Sequence, residues 1–166
     1  IAIISDKPQT TRNKILAIYT TDEMQIVFTD TPGIHKPHNK LDEFMVNVAN
    51  ESMNDTDVLL FVVDASQKIH DTEREIVKSI AKTGMPCILV MNKIDNMKKE
   101  DLLPVIADYS SMYEFADIVP ISAKTGDGID ILLENIGEYM EEGPQFYDEE
   151  MVTDQPEKQI AAEIIR

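Results

Sequence analysis

Residues 87–95 read Cys-Ile-Leu-Val-Met-Asn-Lys-Ile-Asp, five apolar residues followed at once by a polar segment. A continuous apolar run is typical of a strand buried on both faces, as in a parallel sheet that helices cover. In open α/β sheets, ligands bind beyond the carboxyl ends of the strands. The stretch therefore predicts an α/β domain with a ligand-binding loop that begins at Asn92.

The same kind of apolar run occurs on both sides of this stretch, at residues 58–63 and 118–121. Two further strands are predicted at 15–20 and 24–29, and the turn-like residues 21–23 between them indicate a hairpin. We therefore expect a mostly parallel sheet with one antiparallel edge.

Helical patterns alternate with the later strands. Apolar residues at i, i+3, i+4 and i+7 predict amphipathic helices at 41–49 and 129–140, and weaker patterns predict helices near 71–83 and 99–113. Alternating strands and helices predict a doubly wound α/β fold.

Composition limits the classes of partner. The chain has 166 residues, with 31 acidic and 15 basic side chains, and its formal net charge is −16. A protein with this negative charge is not expected to attract nucleic acid or anionic lipid through its overall electrostatic field. A small anionic ligand held by backbone groups remains compatible with it. The single cysteine, Cys87, excludes an intrachain disulfide framework and fits a reducing compartment. No run reaches the ~18 apolar residues of a membrane span.

The character of the chain changes near residue 138. Residues 138–158 hold eight acidic residues and one basic residue. We expect a globular domain at 1–142, an acidic linker at 143–155, and the start of another domain at 156–166. Because the chain begins with Ile1 and stops within a helical pattern, we expect it to be a fragment.

Asn92, Lys93 and Asp95 carry the chemistry of the central loop. A carboxylate at Asp95 can accept two parallel hydrogen bonds from the N1–H and 2-amino groups of guanine, which neutral adenine lacks. The Asn92 amide can brace the loop and approach the purine N7, and the stem of Lys93 can lie along the flat base. The alternative is an Asx-type turn with a solvated lysine and aspartate.

A second motif, Asp30-Thr31-Pro32-Gly33, follows the predicted strand at 24–29. An acid at this point can hold Mg²⁺ through water, and the Gly33 N–H can meet a terminal phosphate because no Cβ blocks the approach. The alternative is an ordinary turn.

The segment Ile121-Ser122-Ala123-Lys124 also follows a strand. The Ala123 N–H can donate to guanine O6, and Ser122 can steady the loop around Asp95. Near the N-terminus, the polar segment 7–13 reads as a loop in which a threonine hydroxyl can bind Mg²⁺. A solvated turn is the alternative there.

Taken in their order along the chain, the four segments resemble the switch I, switch II and guanine-recognition motifs of Ras-like GTP-binding domains. Residues 4–13, 30–37, 61–65 and 153–166 are similar to the Era family of bacterial ribosome-assembly GTPases, in the TrmE-Era-EngA group. The resemblance implies a P-loop NTPase-like fold that binds GTP or GDP with Mg²⁺ and hydrolyses GTP as a switch. The guanine-binding residues that it implies are Asn92, Lys93, Asp95, Ser122, Ala123 and Lys124.

The resemblance also assigns the phosphate end of the site. Thr11 would be the switch I threonine that closes on Mg²⁺ and the γ-phosphate, with the adjacent Thr10 as the alternative. Asp30 and Gly33, with Thr31 and Pro32 between them, would begin switch II, and Asp30 would bind Mg²⁺.

Partners and location follow from the same resemblance. It implies a KH-type domain that binds the 3′ end of small-subunit ribosomal RNA and acts in assembly of the 30S subunit. It also implies a cytoplasmic protein with peripheral contact at the inner face of the membrane.

Two features depart from the family pattern. The phosphate-binding loop, Gly-x-x-x-x-Gly-Lys-Ser/Thr, does not occur in these 166 residues. We expect it upstream of Ile1, together with the first strand of the sheet, so that this piece by itself would be inactive. Ile34 stands where Ras-like proteins have a glutamine that orients the attacking water, which predicts slow intrinsic hydrolysis. Two alternatives remain: a non-catalytic interaction domain that has lost the P-loop, and a tandem-domain ribosome-assembly GTPase.

Overall fold

The structure, a computed structural model, describes residues 15–30 and 56–153. These residues belong to two units. The smaller unit contains residues 15–30 and 142–153 of the described chain, and the larger unit contains residues 56–141.

The smaller unit begins with an antiparallel hairpin. Its strands are β1 (Ile15–Thr20) and β2 (Gln25–Asp30), which pair in register from Ile15 opposite Asp30 to Thr20 opposite Gln25. Thr21 closes the turn, because its Oγ1 accepts a hydrogen bond from the Met24 N–H at 3.1 Å. The predicted hairpin is confirmed, and its second strand begins and ends one residue later than expected.

Residues 146–153, here called the strap, are bound to this hairpin. The Ile18 N–H donates to the Val152 carbonyl oxygen at 3.0 Å, and Ala17 forms an antiparallel bridge with Thr153. The Thr153 hydroxyl donates to the Leu16 carbonyl oxygen at 2.8 Å. The described part of the predicted linker thus contacts β1, whereas the domain boundary itself stays a prediction.

The larger unit contains a parallel sheet built from the three apolar runs. In the described part of this unit its strands are β3 (Leu59–Asp64), β4 (Cys87–Asn92) and β5 (Asp117–Pro120), in the order β3-β4-β5. Residues 87–91 of β4 are buried, as expected for the middle strand. The register places Asp64 opposite Asn92, so β3 and β4 end side by side.

Two helices connect these strands and a third follows β5, as the sequence patterns predict. Their bounds are α1 (Asp71–Thr83), α2 (Lys99–Ser110) and α3 (Ile129–Gly137), and a short 3₁₀ turn at Ile94–Asn96 precedes α2. Both α2 and α3 end three residues earlier than predicted. The helix predicted at 41–49 lies outside the described residues. None of the helices in the described ranges is long and apolar enough to cross a membrane.

The core of the larger unit lies between the sheet and the first two helices. Cys87 is only 1% exposed, and burial raises the pKa of its thiol to about 12. This burial agrees with the position of Cys87 at the start of a continuous apolar run. Side chains that share the cluster with Cys87 include Phe61, Val63, Val77, Ile80, Leu89, Met91 and Tyr109.

Candidate functional site

The Asn92 side chain ties together the loops that follow β4 and β5. Its Oδ1 accepts hydrogen bonds from the Lys93 N–H at 2.7 Å and from the Ala123 N–H at 3.1 Å. Lys93 itself has a left-handed backbone, with φ 67° and ψ 32°. The loop thus turns sharply at the end of β4, and the amide of Asn92 braces this turn as the motif predicts.

Ser122 holds the Asp95 carboxylate. The Ser122 hydroxyl donates to Asp95 Oδ1 at 2.7 Å, although 27 residues separate the two along the chain. Ser122 is 1% exposed, whereas Asp95 is exposed. Among the described residues, no group donates to Asp95 Oδ2, so this oxygen can accept from a ligand. The contact between Ser122 and Asp95 is the one expected from the sequence, and its role in ligand binding stays a prediction.

A tight turn after β5 places Ser122 and its neighbours. The Ser122 N–H donates to the Asp127 carbonyl oxygen at 2.9 Å, and the Gly126 N–H donates back to the Ser122 carbonyl oxygen at 2.8 Å. Gly128 is the N-cap residue just before α3 and has a φ of +75°, and a Cβ there would lie 2.3 Å from the Pro120 carbonyl oxygen. Only glycine fits this close approach, which lets the turn fold back onto the end of β5.

Ala123 and Lys124 are exposed at the tip of this turn. Because the Ala123 N–H already donates to Asn92, a hydrogen bond from it to guanine O6 would have to be shared or exchanged. The backbone N–H of Lys124 has no protein acceptor within the described ranges. It therefore adds a donor to the site beside the acceptor at Asp95. Together these groups can meet the edge of a planar base that carries both donors and acceptors.

Asp64 is a member of the site that the sequence motifs did not assign. Lys93 Nζ lies 2.8 Å from Asp64 Oδ2, and the two side chains are 53% and 27% exposed. Partial burial alone would raise the pKa of Asp64, but hydrogen bonds from Lys93 and Ser66 outweigh it and hold that pKa below its usual value. The signal in the sequence is an acid that ends the strand beside β4, which becomes informative only once the strand order is known.

An open groove of about 600 Å³ lies next to this loop, between the segment after β3 and helix α2. Ser66, Asn96 and Met97 line it, with basic side chains from Lys68 and Arg74. No sequence-predicted site residue lines the groove in the described part of the chain. The predicted ligand-recognition groups lie instead at the exposed ends of the strands.

Most residues predicted to bind phosphate and Mg²⁺ lie outside the part of the chain that the structure describes. Thr11, Thr31, Pro32 and Gly33 lie outside the described residues, as does the alternative Thr10. Asp30 ends β2, where its backbone pairs with Ile15. Within residues 15–30 and 56–153, no group of three or more His, Cys, Asp or Glu side chains could hold a metal ion. The Mg²⁺ site therefore stays a prediction.

Comparison with known proteins places these features in a family. Residues 1–93 match the family model described as "50S ribosome-binding GTPase". The chain is 53% identical to GTPase Era of Clostridioides difficile and 46% identical to GTPase Era of Syntrophus aciditrophicus, in each case over all of its length. It covers 56% and 54% of those proteins, and so spans about half the length of these relatives.

A solved structure agrees with these matches. The crystal structure of an Aquifex aeolicus Era variant bound to GDP·AlF₄⁻ superposes with a TM-score of 0.85 and 38% identity, covering 99% of this chain and 57% of that one. The predicted α/β, Ras-like G-domain fold is confirmed by this likeness together with the parallel sheet. The chain therefore belongs to the 50S ribosome-binding GTPase family, and both relatives compared above are named GTPase Era.

Proposed function

We propose that the full-length gene product binds GTP and GDP through the loops after β4 and β5, and that it hydrolyses GTP as a molecular switch. The observation that carries this proposal is the hydrogen bond from buried Ser122 to Asp95, joined to the Asn92 brace between the same two loops. A pair of solvated turns would have no need of a buried hydroxyl to orient an exposed carboxylate. Membership of a GTPase family supports the same conclusion.

Guanine would be recognised by the donors and acceptors that have no protein partner among the described residues. Asp95 accepts from the guanine N1–H and 2-amino groups through its carboxylate, whose Oδ1 is oriented by Ser122. The Lys124 N–H supplies a donor for guanine O6, and the stem of Lys93 lies along the face of the base. Adenine offers Asp95 no equivalent pair of donors, so a bound adenine would displace water from the carboxylate without replacing its hydrogen bonds, and ATP is rejected.

The phosphate end of the site belongs to the same proposal. Thr11, or Thr10 beside it, and Asp30 would bind Mg²⁺ through oxygen atoms, which are the ligands that this ion prefers. The Gly33 N–H would meet the γ-phosphate, with Thr31 and Pro32 shaping the turn. Bound Mg²⁺ would neutralise the charge that develops on the phosphate oxygens during hydrolysis. Ile34 cannot orient water, so we propose a slow intrinsic rate.

A substitution that changes which base the protein prefers tests the proposal directly. In Asp95→Asn, the amide can donate to the 2-oxo group of xanthine but no longer accepts both guanine donors. We expect GTP affinity to fall by about 100-fold, because two charge-assisted hydrogen bonds are lost, while xanthosine triphosphate becomes the preferred ligand. Isothermal titration of the full-length gene product with both nucleotides measures this. Unchanged GTP affinity in the variant would show that the guanine assignment is wrong.

The cellular role is a further part of the proposal. We propose the role that the family resemblance implies: a cytoplasmic protein in assembly of the 30S subunit, with ribosomal RNA bound by a KH-type domain and peripheral contact with the membrane. The match of this whole chain to about half of each relative named GTPase Era supports that resemblance. The net charge of −16 supports RNA binding outside the residues of this chain. Cosedimentation of the full-length gene product with 30S subunits, in GTP and in GDP, tests this role.

Neither alternative is favoured by the matches. A non-catalytic interaction domain that has lost the P-loop predicts a gene product without nucleotide affinity, which the same titration would reveal. A tandem-domain ribosome-assembly GTPase predicts a second set of guanine-binding motifs in the gene.

A further inference from the structure

Lys93 has an unusual backbone and a defined side-chain partner. Among the described residues it is the only non-glycine residue with a positive φ. Its ammonium donates to Asp64 Oδ2 at 2.8 Å. Asp64 is itself fixed through its other oxygen, Oδ1, which accepts from the Ser66 hydroxyl at 2.6 Å and from the Ser66 N–H at 3.1 Å. The contacts thus run in sequence from Ser66 through Asp64 to Lys93.

The parallel register explains why Asp64 can reach Lys93. Asp64 is paired with Asn92 at the ends of β3 and β4, one residue before Lys93. The Ala65 N–H donates to the Asn92 carbonyl oxygen at 2.9 Å, which ties the loop after β3 to the loop after β4. Asp64 therefore lies on backbone fixed to the guanine-recognition motif, although 29 residues separate it from Lys93 along the chain.

We propose that Asp64 is a positioning residue for the guanine nucleotide: it holds the ammonium of Lys93 so that the lysine stem lies across the face of the bound base, and Ser66 holds Asp64. This inference rests on the proposed function, because it concerns how tightly the same site retains its nucleotide. It adds two residues, Asp64 and Ser66, that neither the guanine nor the phosphate motifs contain.

The physical reason is the flexibility of lysine. A free lysine stem has many rotamers, and ordering it only when the nucleotide arrives lowers affinity. Anchoring the ammonium orders the stem beforehand. The anchor persists at neutral pH, because its hydrogen bonds with Lys93 and Ser66 keep the pKa of Asp64 low and the hydrogen bond with Asp64 raises the pKa of Lys93. Both partners are therefore charged over the range in which the protein would bind nucleotide.

The test is the rate at which fluorescent N-methylanthraniloyl-GDP leaves the full-length gene product. We expect Asp64→Asn to release it about fivefold faster, and Ser66→Ala to have a smaller effect in the same direction. Asp64→Glu keeps the negative charge, so it should release the labelled GDP more slowly than Asp64→Asn does. Asp57→Asn is the matched control, because this exposed aspartate undergoes the same change of charge just before β3, at the opposite end of that strand from Asp64.

A double-mutant cycle separates positioning from a merely structural role. Lys93→Met keeps an apolar stem but removes the ammonium, so Asp64→Asn should cause no further change in release rate on that background. The gap between wild type and Asp64→Asn should also narrow at high salt, since the ion pair is partly exposed.

The possible failures are distinguishable. If wild type binds the labelled GDP and Asp95→Asn weakens it, but Asp64→Asn releases it at the wild-type rate, the role of Asp64 is wrong and the proposed function survives. Equal effects of Asp64→Asn in the wild-type and Lys93→Met backgrounds would also overturn that role. If wild type binds no guanine nucleotide, the proposed function fails and this inference fails with it. Thermal unfolding of each variant identifies any that do not fold, in which case Asp64→Glu and Ser66→Ala carry the test.

Discussion

At the scale of the residue, Ser122 combines a buried position with two side-chain hydrogen bonds in the site. It is almost fully buried, its hydroxyl donates to Asp95, and its Oγ also accepts from the Thr125 N–H at 3.2 Å. Ser122→Ala removes both contacts at once. We expect nucleotide affinity to fall by about tenfold, because the Asp95 carboxylate is then free to turn away from the base. Titration of the full-length gene product with GDP measures this loss.

A serine on the surface provides the control for that change. Ser110 is exposed at the end of α2, and Ser110→Ala should leave GDP affinity unchanged. Denaturation in urea should show that Ser122→Ala lowers the free energy of unfolding by only about 1 kcal/mol, since the Thr125 N–H loses its side-chain acceptor but keeps the Ser122 carbonyl oxygen at 3.2 Å. Wild-type GDP affinity in Ser122→Ala would mean that Asp95 is oriented by something else.

Cys87 provides a second prediction at this scale. Burial keeps its thiol protonated up to a pKa of about 12, whereas the unfolded chain has an ordinary thiol with a pKa near 9.0. The folded protein should therefore react very slowly with a disulfide reagent at pH 8, and in step with its unfolding. Because only the unfolded state loses the proton as pH rises through 9, this group should lower stability progressively above that pH. Rapid labelling of native protein at pH 8 would contradict the buried position.

At the scale of the element, the turn between β5 and α3 depends on Gly128. A Cβ at this position would lie 2.3 Å from the Pro120 carbonyl oxygen, which is backbone and cannot move away cheaply. The φ of +75° adds strain for any L side chain. We expect Gly128→Ala to lower the free energy of unfolding by about 2–4 kcal/mol, measured by urea denaturation.

The neighbouring Gly126 separates strain from steric overlap. Its φ is +85°, but a Cβ there would have no atom within 4 Å. Gly126→Ala should therefore cost only the backbone strain, about 1 kcal/mol. If the two substitutions cost the same, the close approach at Pro120 does not hold the turn.

The elements that the sequence predicts well are those with a local signal. Continuous apolar runs identify β3, β4 and β5, and the turn at Thr21 identifies the hairpin. The contact between Ser122 and Asp95 follows because both lie just after parallel strands. Asp64 could not be assigned a role in the same way, because its contact with Lys93 depends on which strand lies beside β4. The strap could not be predicted either, since side-chain and backbone hydrogen bonds to distant residues give no periodic pattern.

At the scale of the whole molecule, the smaller unit is built from segments that lie before and after the larger unit in the chain. Among its described residues, the side chain of Gln25 forms hydrogen bonds with the strap. The Gln25 Oε1 accepts from the N–H groups of Phe146 and Tyr147, both at 3.0 Å. Its Nε2 donates to the Tyr147 carbonyl oxygen at 2.9 Å and to Thr20 Oγ1 at 3.0 Å. One amide thus joins residues that are more than 120 positions apart.

Gln25→Glu should loosen this closure. The substitution keeps the shape of the side chain but removes both donors, and it places a carboxylate beside the acidic strap residues 148–150 in a chain of net charge −16. The carboxylate can still accept from the Phe146 and Tyr147 N–H groups, so the informative amide is that of Ile18, which donates to the Val152 carbonyl oxygen of the strap. We expect this amide to exchange with deuterium about tenfold faster, because the lost donors and the repulsion between like charges weaken the pairing of the two segments. Hydrogen exchange followed by mass spectrometry or NMR measures this.

Gln145→Glu is the matched control, because Gln145 is exposed and the substitution adds the same charge one residue before the strap. If backbone amide exchange is raised equally in both variants, the added negative charge alone weakens the contact between the strap and the hairpin. The hydrogen bonds of the Gln25 side chain would then make no specific contribution. If only Gln25→Glu changes, the two donors are what hold the strap, and raising the salt concentration should restore little of the lost protection. Salt separates the two causes because dissolved ions screen the repulsion between exposed charges, whereas they cannot replace a lost hydrogen-bond donor.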